Sequence, residues 1–209
     1  MKYLIDDVRA GEEAVVLSSF GLTVVRAEEM TESLLADPFW SLRDPQQTLL
    51  VFPGNGANIL RQYLPQSWLE RWEWRSVPAK RFWIPGEDPW VSTGRIFSSG
   101  FILGKKDLVI MDDVVSSGQT IRSVHKGNSS WIPGVTWHAC AWLAQCSASW
   151  RGFASLTAAV WTGNRQTREP INSLSTLLAD KEICNSFAVR NLSDPQSFLT
   201  LMEKWRSQG

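Results

Sequence analysis

The chain has little cysteine or histidine and no surplus of either charge. Three cysteines and two histidines stand among 209 residues. Cys140, Cys146 and Cys184 are odd in number and lack a short paired spacing. That argues against a disulfide framework and makes a reducing cytoplasm the expected compartment. No grouping of His, Cys and Asp has the spacing of a zinc site. Lys plus Arg and Asp plus Glu each number 21, so the formal net charge is zero. A neutral chain is a poor candidate for generic binding to nucleic acid or to a membrane surface. No N-terminal apolar run has the length of a signal peptide, and no segment is expected to span a bilayer. Repeats and low-complexity linkers are also absent.

What is present describes a globular protein. Hydrophobic residues make up 44% and charged residues 20% of the chain, ordinary values for a packed domain. The length suits one domain with a large core and a small appendage. Twelve tryptophans are spread along the chain rather than gathered in one box.

The pattern of elements is α/β. Residues 2–5 read as a short strand, 11–26 as helical or mixed, and 27–42 as a helix broken at Asp37-Pro38. Residues 48–52 form an apolar strand, followed by Pro53-Gly-Asn-Gly-Ala57 and a helix over 58–63. A further strand is expected over 72–77. Residues 78–104 form a long stretch rich in Gly, Pro and Ser, with hairpin strands around Arg95-Ile-Phe97. A loop of this length in a compact domain is usually a functional lid or a disordered segment. Strands over 135–143 and 156–161 follow, and helices over 174–179 and 194–206 close the chain. Strands alternating with helices imply a parallel sheet. Apolar runs without alternation imply strands buried on both faces.

Residues 108–120 carry the most information: Leu-Val-Ile-Met-Asp-Asp-Val-Val-Ser-Ser-Gly-Gln-Thr. Four apolar residues make a buried strand, and Asp112 and Asp113 are expected at its carboxyl edge, where a bend would let both reach one ligand. Ser116, Ser117, Gly118, Gln119 and Thr120 then open a helix that ends at Gly127-Asn128. Amides at a helix start are unpaired and carry partial positive charge. Gly118 allows close approach of an anion, and the hydroxyls of Ser117 and Thr120 add donors. The loop lacks the Gly-Lys pair of a Walker loop. Carboxylates accept hydrogen bonds, so two of them beside a phosphate cradle suit the vicinal hydroxyls of a ribose 5-phosphate.

This stretch resembles the phosphoribosyl pyrophosphate (PRPP) motif of the type I phosphoribosyltransferases: four apolar residues, two acids, two apolar residues, then Ser/Thr-Gly-x-Ser/Thr. Gly100 to Asp107 also resembles the polar turn that often precedes the motif. The resemblance implies a mostly parallel central sheet flanked by helices, in a single domain over residues 1–209. A small hood would come from the N-terminal segment, the C-terminal segment or both. It implies that Asp112 and Asp113 hold the ribose and Mg²⁺ at the catalytic centre, and that residues 116–120 hold the 5-phosphate. Gly54, Asn55 and Gly56 match the family's pyrophosphate loop in position and glycine content, with an ordinary strand-to-helix turn as the alternative. Lys80 and Arg81 would stabilise the leaving pyrophosphate. They belong with Arg75, Trp83, Glu87, Asp88 and Arg95 to a segment where the family often has a mobile lid, the alternative being a solvated hairpin. Trp161 is the candidate for stacking on a base.

The implied activity is PRPP-dependent transfer of ribose 5-phosphate to a nitrogen acceptor, a nucleobase by default, with release of pyrophosphate. Ser116 departs from the hypoxanthine/guanine branch, which has an aspartate there as base toward the purine. That weakens a 6-oxopurine acceptor. Reuse for PRPP synthesis is a further reading, and a non-catalytic PRPP-binding regulator is the main alternative. No helix-turn-helix with a basic face favours a DNA-binding form of it. Many relatives are homodimers, which the sequence does not decide. Of the remaining polar residues, His125 is expected to face a helix dipole, His138 to be a satisfied core histidine, and Asp6-Asp7 to lie on the surface.

Overall fold

A computed structural model of the chain describes residues 1–8, 10–11, 15–82, 90–95, 104–163 and 169–208, the Arg81 side chain excepted. The first elements are β1 (Tyr3–Asp6), α1 (Val15–Ser18), β2 (Thr23–Arg26), α2 (Ala27–Leu35), β3 (Thr48–Pro53), α3 (Gly54–Tyr63) and α4 (Gln66–Leu69). Then come β4 (Glu73–Val77), β5 (Ala79–Phe82), β6 (Trp90–Thr93), β7 (Asp107–Val115) and α5 (Gln119–Asn128). The chain closes with β8 (Thr136–Gln145), β9 (Ser155–Thr162), β10 (Ile171–Ser173), α6 (Leu174–Ala179), α7 (Lys181–Asn191) and α8 (Pro195–Arg206).

These elements fall into two compact units, residues 1–29 with 168–209, and residues 30–167. The larger unit holds a five-stranded sheet in the order β4-β3-β7-β8-β9, with every neighbouring pair parallel. Strand β8 shows why. From Trp137 to Gln145 it is buried at every residue, as a parallel strand covered on both faces must be. On one face Leu108, Ile110, Ala139 and Ala141 pack with Ile121 and Val124 of α5. On the other, the Trp142 indole N–H donates to the Thr31 hydroxyl of α2 at 2.8 Å, and its ring meets Tyr63 of α3 edge-on. Several tryptophans are absorbed nearby, where Trp40 packs edge-on against Trp68 and Trp72 with centroids 5.0 and 5.5 Å apart. Strands β5 and β6 form a separate antiparallel hairpin.

The smaller unit has a three-stranded parallel sheet, β10-β1-β2, and its core joins Leu4 and Leu17 to Leu174, Phe198 and Met202. Its helices start where capping chemistry says they should. Ser173, Asp180 and Asp194 each accept amide hydrogen bonds from the first turn, and Pro195 opens α8, as N-cap and N1 preferences predict.

Several elements differ from expectation. Helix α3 begins at Gly54 rather than near Asn58, so the two glycines lie in its first turn. Strand β7 runs through both aspartates to Val115. The hairpin falls on residues 79–82 and 90–93 rather than around Arg95, while Ile96 and Phe97 lie outside the described residues. Residues 11–26 are mixed, one helical turn followed by β2.

Candidate functional site

The order of the large sheet locates a crevice. From β3 the chain goes outward to β4 on one side, then to β7, β8 and β9 on the other. The winding therefore reverses between β3 and β7, and in open parallel sheets ligands bind beyond the carboxyl ends at such a reversal. The last register pair between these strands is Val51–Ile110. Beyond it β3 turns into α3, whereas β7 stays paired with β8 through Asp112–Ala141, Val114–Leu143 and Val115–Ala144. Asp112 and Asp113 thus stand past the end of the β3 ladder.

The expected bend at this pair does not occur. Because the strand stays regular, the two carboxylates diverge to opposite faces of the sheet. Asp112, only 6% exposed, lines a cavity with the loop over residues 116–120, and its Oδ1 accepts the Asp113 amide at 3.1 Å. Asp113 accepts the Val114 amide at 2.8 Å and lies against the first turn of α3. A Cβ built on Gly56 would sit 2.2 Å from its Oδ1. The absent side chain at Gly56 is what makes room for the carboxylate. The structure thereby brings the glycine turn against Asp113, far from it in sequence, while Asp112 faces the loop.

Residues 116–118 form the expected short loop. Gly118 is the N-cap of α5 with φ of 72°, a left-handed conformation that suits glycine. A Cβ there would meet the Ser149 carbonyl at 1.9 Å, so glycine is required twice over. The Ser117 hydroxyl accepts the Gln119 amide at 3.3 Å and keeps its own hydrogen to donate. The depression is lined by Asp112, Val114, Ser116, Ser117 and Thr120 among others.

Arg122 escaped the sequence reading. Its Nη1 donates to the Ser117 carbonyl at 3.2 Å and to the Ser149 carbonyl at 3.3 Å, and the Ser149 amide donates to the Ser117 carbonyl at 3.2 Å. The signal was available: a basic residue four positions after Gly118 lies above the loop on the same helix face.

The expected pyrophosphate residues are partly gathered. Gly54 has φ of +73°, and a Cβ there would lie 3.1 Å from the Ala79 carbonyl, so the turn abuts the start of β5, the strand that carries Lys80 and Arg81. Asn55 and Lys80 are exposed, the Lys80 ammonium standing 5.3 Å from the Phe82 ring. Other basic groups are engaged elsewhere. Arg61 lies over the Trp74 ring at 4.6 Å and Arg95 over Trp131 at 5.2 Å, while Arg75 bonds the Trp74 carbonyl and Glu73. Trp83, Glu87 and Asp88 lie outside the described residues.

Trp161 stands at the carboxyl end of the edge strand β9 with 46% of its surface exposed, opposite Ala144. His138 is the satisfied core histidine expected: Ser155 Oγ lies 2.8 Å from Nδ1 and Asp107 Oδ1 lies 3.1 Å from Nε2. Burial and the nearby Arg43 hold its pKa below the ordinary value, against the pull of Asp107. His125 lies in the last turn of α5, where facing the helix dipole was expected, and its ring is also packed. It meets Trp137 edge-on at 4.9 Å and Phe153 at 5.4 Å, and burial lowers its pKa. Asp6 and Asp7 are likewise buried rather than on the surface. Asp6 accepts the Ala10 amide at 3.1 Å, and Asp7 accepts the amide and the hydroxyl of Ser175. Among the described residues no helix is long and apolar enough to cross a membrane.

No protein-family model and no curated protein matches the chain. Solved structures do. A hypoxanthine phosphoribosyltransferase from Staphylococcus aureus superposes with a TM-score of 0.52 at 11% identity, covering 73% of this chain and 83% of that one. A hypothetical protein from Neisseria gonorrhoeae with bound ppGpp superposes with a TM-score of 0.51 at 14% identity, covering 86% and 93%. The chain has the type I phosphoribosyltransferase fold.

Proposed function

We propose that this chain is a PRPP-dependent phosphoribosyltransferase, moving ribose 5-phosphate onto a nitrogen acceptor with release of pyrophosphate. One observation carries the reading: where the sheet reverses between β3 and β7, Asp112 lines the residue 116–120 loop while the adjacent Asp113 lies against the glycine turn. In this proposal the amides at the start of α5 and the hydroxyls of Ser116, Ser117 and Thr120 hold the 5-phosphate. Asp112 and Asp113 accept hydrogen bonds from the ribose hydroxyls. Because the two carboxylates diverge, Asp112 works on the phosphate-loop side and Asp113 on the side of the glycine turn. Gly54, Asn55 and Gly56 present the first amides of α3 to the pyrophosphate, with Lys80 and Arg81 as supporting cations. The C1–O bond to pyrophosphate breaks with its electron pair on the leaving oxygen, and the acceptor nitrogen bonds C1 and sheds its proton. The residues contribute by positioning and charge stabilisation, and no covalent nucleophile is expected.

Mg²⁺ fits the donor set. Two carboxylates at the mouth of a crevice are hard oxygen donors, and Mg²⁺ is commonly held by one or two carboxylates together with substrate phosphates and water. The carboxylates face opposite sides of the sheet, so Asp113, beside the glycine turn, would hold it directly, and Asp112 would reach it only through the ribose hydroxyls or water. When bound it would neutralise pyrophosphate charge.

The acceptor is proposed to be a nucleobase, with Trp161 as the stacking residue. We assign the hood to the unit built from residues 1–29 and 168–209, and cytoplasm as the compartment. The second reading, a non-catalytic regulator that binds PRPP or a related phosphorylated nucleotide, is favoured by the ppGpp in the Neisseria structure. Pyrophosphate release from PRPP with Mg²⁺, measured across a panel of purine and pyrimidine bases, separates the two. Release dependent on one base, abolished in the Asp112→Asn/Asp113→Asn double variant, is the expected result. PRPP binding without release under every base favours the regulator. PRPP binding undiminished in the double variant sinks the site assignment.

A further inference from the structure

Building on the reading of residues 116–120 as a phosphate loop, we propose that Arg122 is the positioning residue that fixes the loop for its anion. In a trans peptide the carbonyl and the amide point in opposite directions. The Ser117 carbonyl is drawn to Arg122 Nη1 at 3.2 Å and to the Ser149 amide at 3.2 Å. The Gly118 amide on the same peptide plane is therefore turned the other way, away from Arg122. Were this peptide to flip, the carbonyl would replace the amide and repel a phosphate. The flip is easy next to glycine, which populates both signs of φ, and Gly118 already sits at φ of 72°. Something must hold the plane, and the described side chain that bonds the Ser117 carbonyl is Arg122.

The same nitrogen holds a second carbonyl. Ser149 O presses so closely on Gly118 that a Cβ there would meet it at 1.9 Å, and Arg122 Nη1 donates to it at 3.3 Å. A carbonyl so near an anion site would oppose binding, and the guanidinium offsets its partial charge. Arg122 thus ties the loop to the segment after β8 and brings a full positive charge to a loop whose own residues carry none. It acts through backbone groups, with no contact to the anion required of it.

The test compares wild type with Arg122→Met, which keeps an apolar stem and removes the donors. Amide hydrogen exchange at residues 116–122 and 146–150 reads the clamp without ligand, and faster exchange in the variant is expected. Calorimetric titration with ribose 5-phosphate is expected to show at least about a tenfold loss of affinity. Titration with Mg²⁺-pyrophosphate, proposed to bind at the glycine turn, should change by less than about twofold, a split that general loosening of the fold would not produce. Equal affinity of both proteins for ribose 5-phosphate overturns the role of Arg122 alone, as does an equal loss for both ligands with a lowered melting temperature. Failure of the wild type to bind ribose 5-phosphate removes the phosphate reading, and the role of Arg122 falls with it.

Discussion

At the scale of single residues, two glycines separate the cost of conformation from the cost of close approach. Gly134 and Gly118 both have positive φ, 85° and 72°. Nothing lies within 4 Å of a Cβ built on Gly134, whereas one on Gly118 runs into Ser149 O. Gly134→Ala therefore tests conformation alone, and a left-handed alanine costs roughly 1–2 kcal/mol. Gly118→Ala carries that cost and must also displace backbone. Urea unfolding of the two variants is expected to show Gly118→Ala as the less stable, and ribose 5-phosphate binding should be lost only there. Equal stability of the two variants would mean that the close approach to Ser149 is not enforced. The importance of Gly118 was legible in the sequence because its neighbours form a compact motif. Gly56 could be placed at a turn, but its service to Asp113 could not be read. That contact joins residues with no local relation, and its cause is the regular continuation of β7 past the end of the β3 ladder.

At the scale of elements, the parallel strands were legible because burial on both faces leaves continuous apolar runs, as in β3, β7 and β8. Helices α6 and α8 fall within one residue of where they were expected. Helix α7 was not. Cys184, Phe187 and Ala188 form a short buried stripe, but it is only three residues long, and Ile183 beside it and Val189 off it are exposed. Three-residue β10 offers too short a pattern for any periodicity. The seating of α5 against β8 and the segment after it uses His125, set between Trp137 and Phe153, and this gives the element a pH dependence. Burial lowers the folded pKa of His125 below its ordinary 6.5, so the folded state binds that proton less readily than the unfolded chain. The stability it contributes is whole above the unfolded pKa and is lost as pH falls from there through the folded pKa. His138 shifts the same way. The urea midpoint should decline as pH falls below about 6.5, and less steeply in His125→Asn. An identical decline in that variant would assign the effect to other groups.

At the scale of the whole molecule, the chain is two compact units, each with its own parallel sheet. An α/β class was readable because strands and helices alternate throughout. The partition was not, because β1 pairs with both β2 and β10, setting Tyr3 opposite Ile171, and local patterns carry no record of which distant strand will be a neighbour. The same pairing explains why Asp6 and Asp7 were misread. A charged pair at a chain start looks solvated until the far end of the chain supplies Ser175 and covers it. Burial raises the Asp7 pKa above its ordinary 3.8, the Ser175 bonds pull it back, and Asp6 adds to the rise. The sign is opposite to that of the histidines. A carboxyl with a raised folded pKa holds its proton more tightly in the folded state, so its contribution to stability grows as pH falls through that pKa. Asp7→Asn mimics the neutral form and cannot titrate. It should exceed wild type in urea stability at pH about 8, and the gap should close on acidification toward the ordinary carboxylate range. A variant weaker than wild type at neutral pH would show that the two Ser175 bonds to the carboxylate outweigh its burial, and that the small unit depends on an ionised Asp7 to join its two chain ends.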